Sequence, residues 1–313
     1  MKYKIYVDGS EGTTGLKINE RLEKRNDIEI LRIDPDKRKD INERKKYINS
    51  ADIVFLCLPD SAAKEAVSLT ENPSTKIIDA STAHRIDPDW AYGLPELSSG
   101  HREKIQNSKR VAVPGCYATG FISIVHPLVA GNILPKDYPV TCHALSGYSG
   151  GGKKLIAQYE SPEGHNFESP QLYALGLSHK HIPEMTVISG LEHSPIFSPI
   201  VCSYFKGMSV CVPLYRKLLS GTPSIEKIHE YITNYYSNQK FMKVMPLGTE
   251  KEFPNSFLGA TRVNDTNYLE IYVTGNEEQI MLVSVLDNLG KGSSGAAIQN
   301  MNIMLGFDED TGL

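Results

Sequence analysis

One cysteine of the chain stands where a thiol could act as a nucleophile. An apolar strand and a tight turn at Gly115 precede Cys116, and a predicted helix begins at Cys116 and runs toward Ala130. Free N–H groups at a helix N-terminus stabilise a thiolate and can hold a developing oxyanion. Cys142 is left open, and the other cysteines lie inside apolar strands, where an inert thiol is expected: Cys57, Cys202 and Cys211. We therefore predict Cys116 as the nucleophile.

A pair of histidines could supply the acid–base group that such a thiol needs. An imidazole near the sulfur would accept the thiol proton and later return it. His179 and His181 are the candidates, because residues two apart share a face in an extended segment. Pro183 argues against a helix at this point. Glu184 could orient one imidazole by accepting its second N–H.

A glycine-rich loop follows the first predicted strand. Residues 9–15 have the spacing Gly-x-x-Gly-x-x-Gly, and glycines here let the backbone approach a pyrophosphate at a helix N-terminus. A plain strand-to-helix turn is the alternative, but the loop follows the first strand of an α/β pattern, which favours dinucleotide binding. The predicted cofactor contacts in this loop are Gly9, Ser10, Gly12, Thr13, Thr14 and Gly15.

The end of the second predicted strand bears on the choice between NAD and NADP. A carboxylate there suits the ribose hydroxyls of NAD, whereas a 2′-phosphate requires a cation. The sequence offers Asp34, but also Arg32 and the basic run 37–39, and we predict NADP(H). A solvated helix start is the alternative for the basic run. Two more predicted cofactor contacts are Ser81, after the fourth strand, and Asn288, in a glycine-rich stretch expected to close over the nicotinamide. A simple turn and helix cap is the alternative for that stretch.

Groups that suit an anionic substrate occur in two places. Arg85 lies beyond the fourth strand, where an α/β sheet binds its ligands, and its guanidinium suits a phosphate or a carboxylate; a surface ion pair is the alternative. The stretch from Ser149 and Gly150 to Lys153 could form an anion nest from backbone N–H groups. Residues 147–151 also match Gly-x-Ser-x-Gly, the nucleophile elbow of an α/β-hydrolase, but a hydrolase would leave the N-terminal glycine loop unexplained.

The elements that must position these residues divide the chain into two parts. Over the first hundred residues, near-continuous apolar strands alternate with helices, one of them capped by Ser61, which predicts a parallel sheet covered on both faces. The second part has fewer helices, one of them capped by Ser224. Its strands are predicted at 140–145, 186–189, 196–203 and 208–213, with a hairpin of 268–274 and 279–286. The predicted fold is α/β, with an N-terminal Rossmann-like parallel sheet and a second α+β domain with a mixed or antiparallel sheet.

The charge balance disfavours partners that select for positive charge. Lys and Arg number 33 against 37 Asp and Glu, for a net charge of −4, whereas nucleic acids and anionic membranes select clustered cations. A small-molecule substrate is therefore expected. The scattered cysteines disfavour a disulfide framework or a zinc site, and the longest apolar run is too short to span a membrane. We expect a cytoplasmic enzyme that holds no metal.

Several blocks of the sequence resemble one known family, in the family's order and over nearly the whole chain. Besides the glycine loop, they are Tyr-Gly-Leu-Pro-Glu at 92–96, Pro-Gly-Cys-Tyr-Ala-Thr-Gly at 114–120, Ser-Gly-Tyr-Ser-Gly-Gly-Gly-Lys at 146–153, His-Lys-His-Ile-Pro-Glu at 179–184 and Asn-Leu-Gly-Lys-Gly-Ser-Ser-Gly-Ala-Ala at 288–297. On these blocks the chain is similar to N-acetyl-γ-glutamyl-phosphate reductases of the shorter, second type. One departure is Ile124, where the family's cysteine signature is expected to have a small residue.

The resemblance implies an activity and roles for the residues named above. The activity is NADPH-dependent reduction of N-acetyl-L-glutamyl 5-phosphate to N-acetyl-L-glutamate 5-semialdehyde, a step of arginine biosynthesis. The implied roles are a thioester on Cys116, acid–base catalysis by His179, and substrate contact or alternate base for His181. The expected domains are an NADP-binding domain of residues 1–115 completed by 287–313, and a catalytic and dimerisation domain of residues 116–286. A homodimer or homotetramer is expected, because enzymes of this size commonly associate symmetrically.

Two other interpretations stay open from the residues. Another phosphorylating aldehyde dehydrogenase, such as aspartate-semialdehyde dehydrogenase, would be similar in fold and thioester, although those families surround their cysteine with Asn and with Thr or Ser. A non-catalytic NADP-binding sensor is the other interpretation, and the presence of Cys116, His179 and Glu184 argues against it.

Overall fold

The computed structural model describes residues 2–162 and 167–313, and the chain in it divides into two compact units. The first unit consists of Met1–Gly115 and Ser293–Leu313, and the second of Cys116–Gly292. The chain therefore leaves the first unit at Gly115 and returns to it at Ser293. The assignment of cofactor binding to one unit and of catalysis to the other stays a prediction.

Thirteen strands and nine helices are numbered here in chain order within the described ranges. The strands are β1 (Tyr3–Asp8), β2 (Ile28–Leu31), β3 (Ile53–Leu56), β4 (Lys76–Asp79), β5 (Ala91–Tyr92), β6 (Arg110–Ala112), β7 (Thr141–Gly147), β8 (Gln171–Leu172), β9 (Ile196–Cys202), β10 (Met208–Tyr215), β11 (Met242–Val244), β12 (Leu269–Gly275) and β13 (Gln279–Leu286). The helices are α1 (Thr13–Leu22), α2 (Ile41–Ser50), α3 (Asp60–Ser68), α4 (His101–Asn107), α5 (Cys116–Ala130), α6 (Gly152–Tyr159), α7 (Ile182–Ser189), α8 (Ile225–Tyr235) and α9 (Gly295–Leu305).

The first unit contains the predicted parallel sheet. Its strand order is β2-β1-β3-β4-β6-β5, and all neighbouring strands run parallel. The chain crosses from one side of β1 to the other between β2 and β3. In sheets of this kind, such a reversal of strand order opens a crevice at the carboxyl ends of the strands, and the glycine loop lies there.

Both faces of the parallel sheet are buried. Ile5 of β1 belongs to a core cluster that includes Ile18 of α1 and Met301 of α9, whereas the next residue, Tyr6, belongs to another cluster with Ala63 of α3. Successive strand residues point to opposite faces, so both must be apolar when both faces are covered. This explains why the strands read as near-continuous apolar runs.

The second unit contains the predicted mixed sheet. Its strand order is β11-β12-β13-β10-β7-β9-β8; β7 runs parallel to β9 and β11 to β12, and the remaining pairs are antiparallel. The predicted hairpin is confirmed as β12 and β13, and Ser224 caps α8 as predicted by accepting a hydrogen bond from the Lys227 N–H.

Helix α5 packs against this sheet and is buried along nearly its whole length. Its Gly120 faces Val210 of β10 and Ser284 of β13. A helix that is apolar on all sides is one that is covered on all sides. The first residue of α5, Cys116, is therefore held by a firmly packed element.

The strand predicted at 186–189 is wrong, because these residues belong to α7. The β-branched run Thr186–Ile188 favoured a strand. Pro183, taken as an argument against a helix, lies in the first turn of α7, where a missing N–H costs no helical hydrogen bond. Gly190 then ends the helix in the left-handed conformation, with a φ of 79°.

The predicted cap of α3 is also wrong. The helix begins at Asp60, one residue before Ser61, and Pro59 occupies the N-cap position without a side-chain hydrogen bond. Asp60 instead accepts a hydrogen bond from the backbone N–H of Thr82 at 3.0 Å. Separately, none of the helices in the described ranges is long and apolar enough to cross a membrane.

Candidate active site

Cys116 is half-buried at the first position of α5. Burial raises the thiol pKa of the other cysteines, to about 12 at Cys57 and to about 11 at Cys211, and it raises those of Cys142 and Cys202 as well. A thiol with a raised pKa is a poor nucleophile near neutral pH, because almost none of it is ionised. The other four cysteines are therefore weak candidates for the nucleophile, and Cys116 stays the predicted one.

The backbone at Gly292 approaches the nucleophile closely. A Cβ added to Gly292 would lie 2.9 Å from Cys116 Cβ and 3.3 Å from Cys116 Cα. Gly292 belongs to a π-helical segment, Gly290–Ser294, that precedes α9. Sequence analysis described this stretch as a glycine-rich loop and did not predict its contact with the cysteine.

The two predicted histidines lie side by side, although in a turn before α7 and not in an extended segment. Their ring centroids are 4.7 Å apart and the rings are nearly perpendicular. The backbone N–H of His181 donates a hydrogen bond to Nδ1 of His179 at 3.1 Å. A backbone N–H can only donate, so Nδ1 carries a lone pair and neutral His179 holds its proton on Nε2.

The hydroxyl of Tyr173 faces this imidazole. The hydroxyl oxygen is 3.3 Å from Nε2 of His179. Burial raises the pKa of Tyr173, and the charge of a neighbouring Cys116 thiolate adds to that rise. The phenol is therefore neutral at physiological pH, and it can serve both as donor and as acceptor.

The ring of Tyr117 packs against both imidazoles. Its centroid is 5.7 Å from that of His179, 5.9 Å from that of His181 and 5.2 Å from that of Phe197. Burial raises its pKa, with further contributions from Tyr173 and Cys116. Sequence analysis missed Tyr117, Tyr173 and Phe197 as parts of the site. The one signal for Tyr117 was its position next to the cysteine.

Glu184 is buried in the first turn of α7. A carboxylate at this position is stabilised by the helix dipole, because the N-terminus of a helix carries partial positive charge. The orienting role that the sequence predicts for Glu184 stays a prediction.

Ser149 and Asn288 meet in the second unit, although they are 139 residues apart in sequence. Nδ2 of Asn288 donates to Oγ of Ser149 at 3.0 Å, and Oδ1 of Asn288 accepts from the backbone N–H of Gly207 at 2.8 Å. Ser149 and Asn288 are both buried. The predicted substrate group Ser149 thus contacts the residue that was predicted to contact the cofactor.

Gly150, predicted to bind substrate, lies on the same cluster of polar groups. It is exposed, and a Cβ added there would lie 3.4 Å from both Asn288 Nδ2 and Ser146 Oγ. The predicted cation Lys153 is exposed in the first turn of α6. Ser146 also interacts with Tyr117, the residue after Cys116: the Ser146 side chain lowers the pKa of Tyr117, against the larger rise that burial causes.

The glycine loop in the first unit is built for close backbone approach. Gly9 has a φ of +84°, and a Cβ there would overlap the carbonyl oxygen of Cys57 beyond β3. Gly12 is the N-cap of α1 and supplies no side-chain cap. Oγ1 of Thr13 is buried without a hydrogen-bond partner in the part of the chain that the structure describes.

The other predicted residues of the loop lie beside these. Oγ1 of Thr14 is 3.1 Å from Oγ of Ser293, which begins the returning segment of the first unit. Ser10 is half-buried, and Gly15 is buried within α1.

Two arginines follow β2. The predicted Arg32 is largely exposed and pairs with Glu23 at 2.7 Å. Arg38, from the basic run, lies 3.6 Å from Glu11 of the glycine loop. The structure therefore places Arg38 against the loop and Arg32 in an ion pair with α1's C-cap residue.

Ser81 and Arg85 lie beyond the carboxyl end of β4. Asp79, the last residue of β4, accepts hydrogen bonds from the backbone N–H of Ser81 at 2.9 Å and from its Oγ at 2.7 Å. Arg85 is buried, and its guanidinium donates to the carbonyl of Val113 at 3.0 Å and to that of Ala80 at 3.2 Å. Ser81 is thus fixed by the Asp79 carboxylate, and Arg85 by backbone carbonyls.

The comparisons with known proteins agree across the chain. Residues 4–108 match the family described as semialdehyde dehydrogenase, NAD binding domain, and residues 116–288 match semialdehyde dehydrogenase, dimerisation domain. N-acetyl-gamma-glutamyl-phosphate reductase 2 of Nostoc sp. is 49% identical over 100% of this chain and 99% of its own. N-acetyl-gamma-glutamyl-phosphate reductase of Brucella ovis is 48% identical over 98% of this chain and 100% of its own.

Solved structures agree with the fold. Aspartate semialdehyde dehydrogenase from Francisella tularensis superposes with a TM-score of 0.71 at 14% identity, over 97% of this chain and all of its own. Aspartate semialdehyde dehydrogenase with NADP from Candida albicans gives 0.68 at 16% identity, over 97% and 99%. The fold is that of the semialdehyde dehydrogenases, and the sequence resemblance is confirmed by the relatives. The chain belongs to the N-acetyl-gamma-glutamyl-phosphate reductase family.

Proposed function

We propose that this protein reduces N-acetyl-L-glutamyl 5-phosphate to N-acetyl-L-glutamate 5-semialdehyde with NADPH, as a step of arginine biosynthesis. The names of relatives that are 48–49% identical over nearly the whole chain support this substrate. The observation that carries the chemistry is the position of Cys116 at the start of α5, where the ring of the next residue, Tyr117, packs against His179.

In the first step, the thiolate of Cys116 attacks the acyl carbon of the substrate. A C–S bond forms, the bond from carbon to the phosphate oxygen breaks, and inorganic phosphate leaves, so a thioester remains on the enzyme. The α5 N-terminus stabilises the thiolate before attack and the oxyanion during it, because its first N–H groups lack partners within the helix.

An imidazole takes the thiol proton before attack and returns it when the aldehyde leaves. The family resemblance favours His179. In the arrangement described above, however, the lone pair on Nδ1 of His179 accepts the His181 N–H. His179 would have to release this bond or move its proton to act as the base, which keeps His181 as the alternative.

Substitution by asparagine separates the two histidines. His179→Asn removes the imidazole, but its side-chain oxygen can still accept the N–H two residues on, as in an Asx turn. If His179 is the base, we expect a loss of ~10²- to 10⁴-fold in kcat for His179→Asn. A much larger loss for His181→Asn would assign the base to His181.

Several groups are proposed to bind the anionic parts of the substrate. Ser149, Gly150 and Lys153 lie at the start of α6 in the second unit, where backbone N–H groups and a lysine suit an anion. Arg85 is proposed for the phosphate or the carboxylate, and His181 for a substrate contact. Glu184 is proposed to orient an imidazole.

The glycine loop fits a dinucleotide. The uncapped start of α1 and the unpaired Thr13 hydroxyl suit phosphate oxygens, and Gly9 lets the loop pack against the backbone of Cys57. We propose that the loop holds the pyrophosphate, with Ser10, Gly12, Thr14 and Gly15, and that Ser81 contacts the cofactor further along the sheet. When bound, NADPH supplies the hydride that reduces the thioester carbonyl.

NADP is favoured over NAD by the cations after β2. Arg38 lies against Glu11 in the loop, and Arg32 lies beside the end of the same strand. A 2′-phosphate bound after β2 would compete with Glu11 for the Arg38 guanidinium and with Glu23 for that of Arg32.

We also propose a homo-oligomer formed through the second unit. One face of its sheet carries α5, and the opposite face presents exposed Thr141, His143, Ile196 and Tyr215 on three adjacent strands. The name of the matching family model, a dimerisation domain, supports an interface in this unit. All five cysteines are free thiols, which suits the reducing cytoplasm that we propose as the location.

The deciding assay runs the reaction backwards. Phosphate-dependent reduction of NADP by N-acetylglutamate semialdehyde is measured at alkaline pH for the wild type and for Cys116→Ser. Activity in the wild type alone is the expected result. Wild-type activity on aspartate semialdehyde and none on the acetylated substrate would overturn the proposed substrate, and activity in Cys116→Ser would overturn the thioester.

A further inference from the structure

The hydrogen bond between Asn288 and Ser149 has a direction that the main chain determines. The Asn288 side chain lies between the Gly207 N–H, at 2.8 Å, and the Ser149 hydroxyl, at 3.0 Å. A backbone N–H can only donate, so the amide atom that faces Gly207 is the oxygen. The nitrogen then faces Ser149 and donates to it. The Ser149 oxygen is therefore the acceptor of this bond.

The hydroxyl proton of Ser149 consequently remains unused by Asn288. A serine hydroxyl offers one donor and two acceptor positions, and Asn288 occupies one of the acceptor positions. Within residues 2–162 and 167–313, the hydrogen-bond partner of the Ser149 hydroxyl is the Asn288 amide. Ser149 is only 1% exposed. A buried donor without an acceptor costs about 1–3 kcal/mol, which a bound ligand with an acceptor oxygen would remove.

In the proposed function, Ser149 belongs to the substrate site that contains Cys116. The neighbouring Gly150 is exposed and presents no side chain between Ser149 and a ligand. Four residues beyond Asn288, the backbone at Gly292 contacts Cys116. The chain thus connects the Asn288 amide to the nucleophile through a short π-helical segment.

We propose that Asn288 is a positioning residue that makes Ser149 a hydrogen-bond donor to a phosphate oxygen of the substrate. The inference rests on the proposed function, in which a phosphate group is displaced beside Cys116. It assigns Asn288 to the substrate side of the site in place of the cofactor contact predicted from sequence. An anionic oxygen accepts hydrogen bonds only, so the direction set by Asn288 determines whether Ser149 attracts or repels it.

The test reverses that direction without changing the shape of the side chain. In Asn288→Asp, one carboxylate oxygen still accepts from Gly207 and the other accepts the Ser149 proton, so the hydroxyl turns its lone pairs toward the ligand. Ser149→Ala removes the hydroxyl, and the double variant Asn288→Asp/Ser149→Ala measures how far the two effects depend on each other.

The readout is protection of Cys116 from iodoacetamide by inorganic phosphate, which needs no turnover. We expect the half-protecting phosphate concentration to rise ~10-fold or more in each single variant, the range for a lost hydrogen bond to a charged group. In the Ser149→Ala background, Asn288→Asp should add less than about 3-fold. Affinity for NADPH, measured by fluorescence, should stay at the wild-type value in all three variants.

Other outcomes would overturn the inference. Equal protection in the wild type and both single variants, or no protection in the wild type, would mean that Ser149 does not donate to phosphate. Independent, multiplying effects would mean that Asn288 acts by its charge and not through Ser149. If NADPH affinity falls in Asn288→Asp, the residue serves the cofactor. Failure of the proposed function is a separate result, because there the wild type would be protected by phosphate but would not turn over the acetylated substrate.

Discussion

The close approach of Gly292 to Cys116 makes Gly292→Ala a sensitive test of the site. The added methyl would lie 2.9 Å from Cys116 Cβ, whereas ordinary contacts of this kind begin near 3.4 Å. The cysteine or the π-helical segment must therefore move by about 0.5 Å. A displacement of about 1 Å can cost ~10²-fold in rate, so half of that predicts a loss of ~10-fold in kcat.

The added methyl should also lower the stability of the protein. Overpacking one methyl costs about 1–3 kcal/mol, which lowers Tm by several degrees in a protein of this size. Gly259→Ala is the matched control in the same unit, because a Cβ there would meet no atom within 4 Å. We expect the control to keep wild-type kcat and Tm.

Two measurements distinguish a loss of turnover from a change in the reactivity of the Cys116 thiol. Steady-state kinetics gives kcat, and the rate of Cys116 alkylation by iodoacetamide reports on the thiol independently of the substrate. We expect both to fall in Gly292→Ala and KM for NADPH to stay unchanged. If kcat and the alkylation rate both stay within about 2-fold of wild type while the protein is folded, the argument that Gly292 positions Cys116 is refuted.

Three further predictions concern Cys57, Arg38 and Gly9. Iodoacetamide at pH 8 should modify Cys116 first, because a thiol pKa of about 12 leaves only ~10⁻⁴ of Cys57 ionised; early modification of Cys57 by mass spectrometry would contradict this. Arg38→Ala should lower kcat/KM for NADPH ~10-fold and leave that for NADH unchanged, and an equal loss with both cofactors would argue against a contact with the 2′-phosphate. Gly9→Ala should lower Tm and weaken NADPH binding in titration, since its φ of +84° costs about 1–2 kcal/mol for a residue with a Cβ; binding at wild-type strength would remove the loop from the cofactor site.

The parts of the fold that local patterns determine were predictable. Ile5 and Tyr6 are both apolar because β1 is covered on both faces, and this rule predicts the parallel sheet from sequence. The N-cap Ser224 and the helix that begins at Cys116 were likewise local signals. Each depends on residues within a few positions of one another.

Helix α7 was missed because two local signals conflicted. The β-branched residues Thr186, Val187 and Ile188 favour a strand, whereas Pro183 in the first turn and Gly190 at the C-terminus mark the two ends of a helix. Pro183 and Gly190, which mark the ends of the helix, were better indicators of its structure than the β-branched residues inside it. β propensity depends strongly on the surroundings of a segment, which the sequence does not display.

The aromatic surroundings of the candidate site could not be predicted from spacing. Tyr117, Tyr173 and Phe197 come from a helix, a loop and a strand, and they meet the histidines only when the second unit folds. The approach of Gly292 to Cys116 spans 176 positions and left no local signal beyond the glycine itself. The candidate reactive groups were local signals in the sequence, whereas the residues packed around them are brought together by tertiary structure.

The return of the chain to the first unit has a consequence for its synthesis. Helix α9 contributes Ala297 and Met301 to the same core cluster as Ile5 of β1, and both are fully buried there. At about 5–20 residues per second, the ribosome makes residues 116–292 in roughly 10–40 s, and the first sheet lacks this cover throughout that time. The unit that begins first is therefore completed last, after the second unit has emerged. Loss of α9 would leave apolar strands made early in translation uncovered, so a lesion near the C-terminus would act as an aggregation defect of the N-terminal sheet.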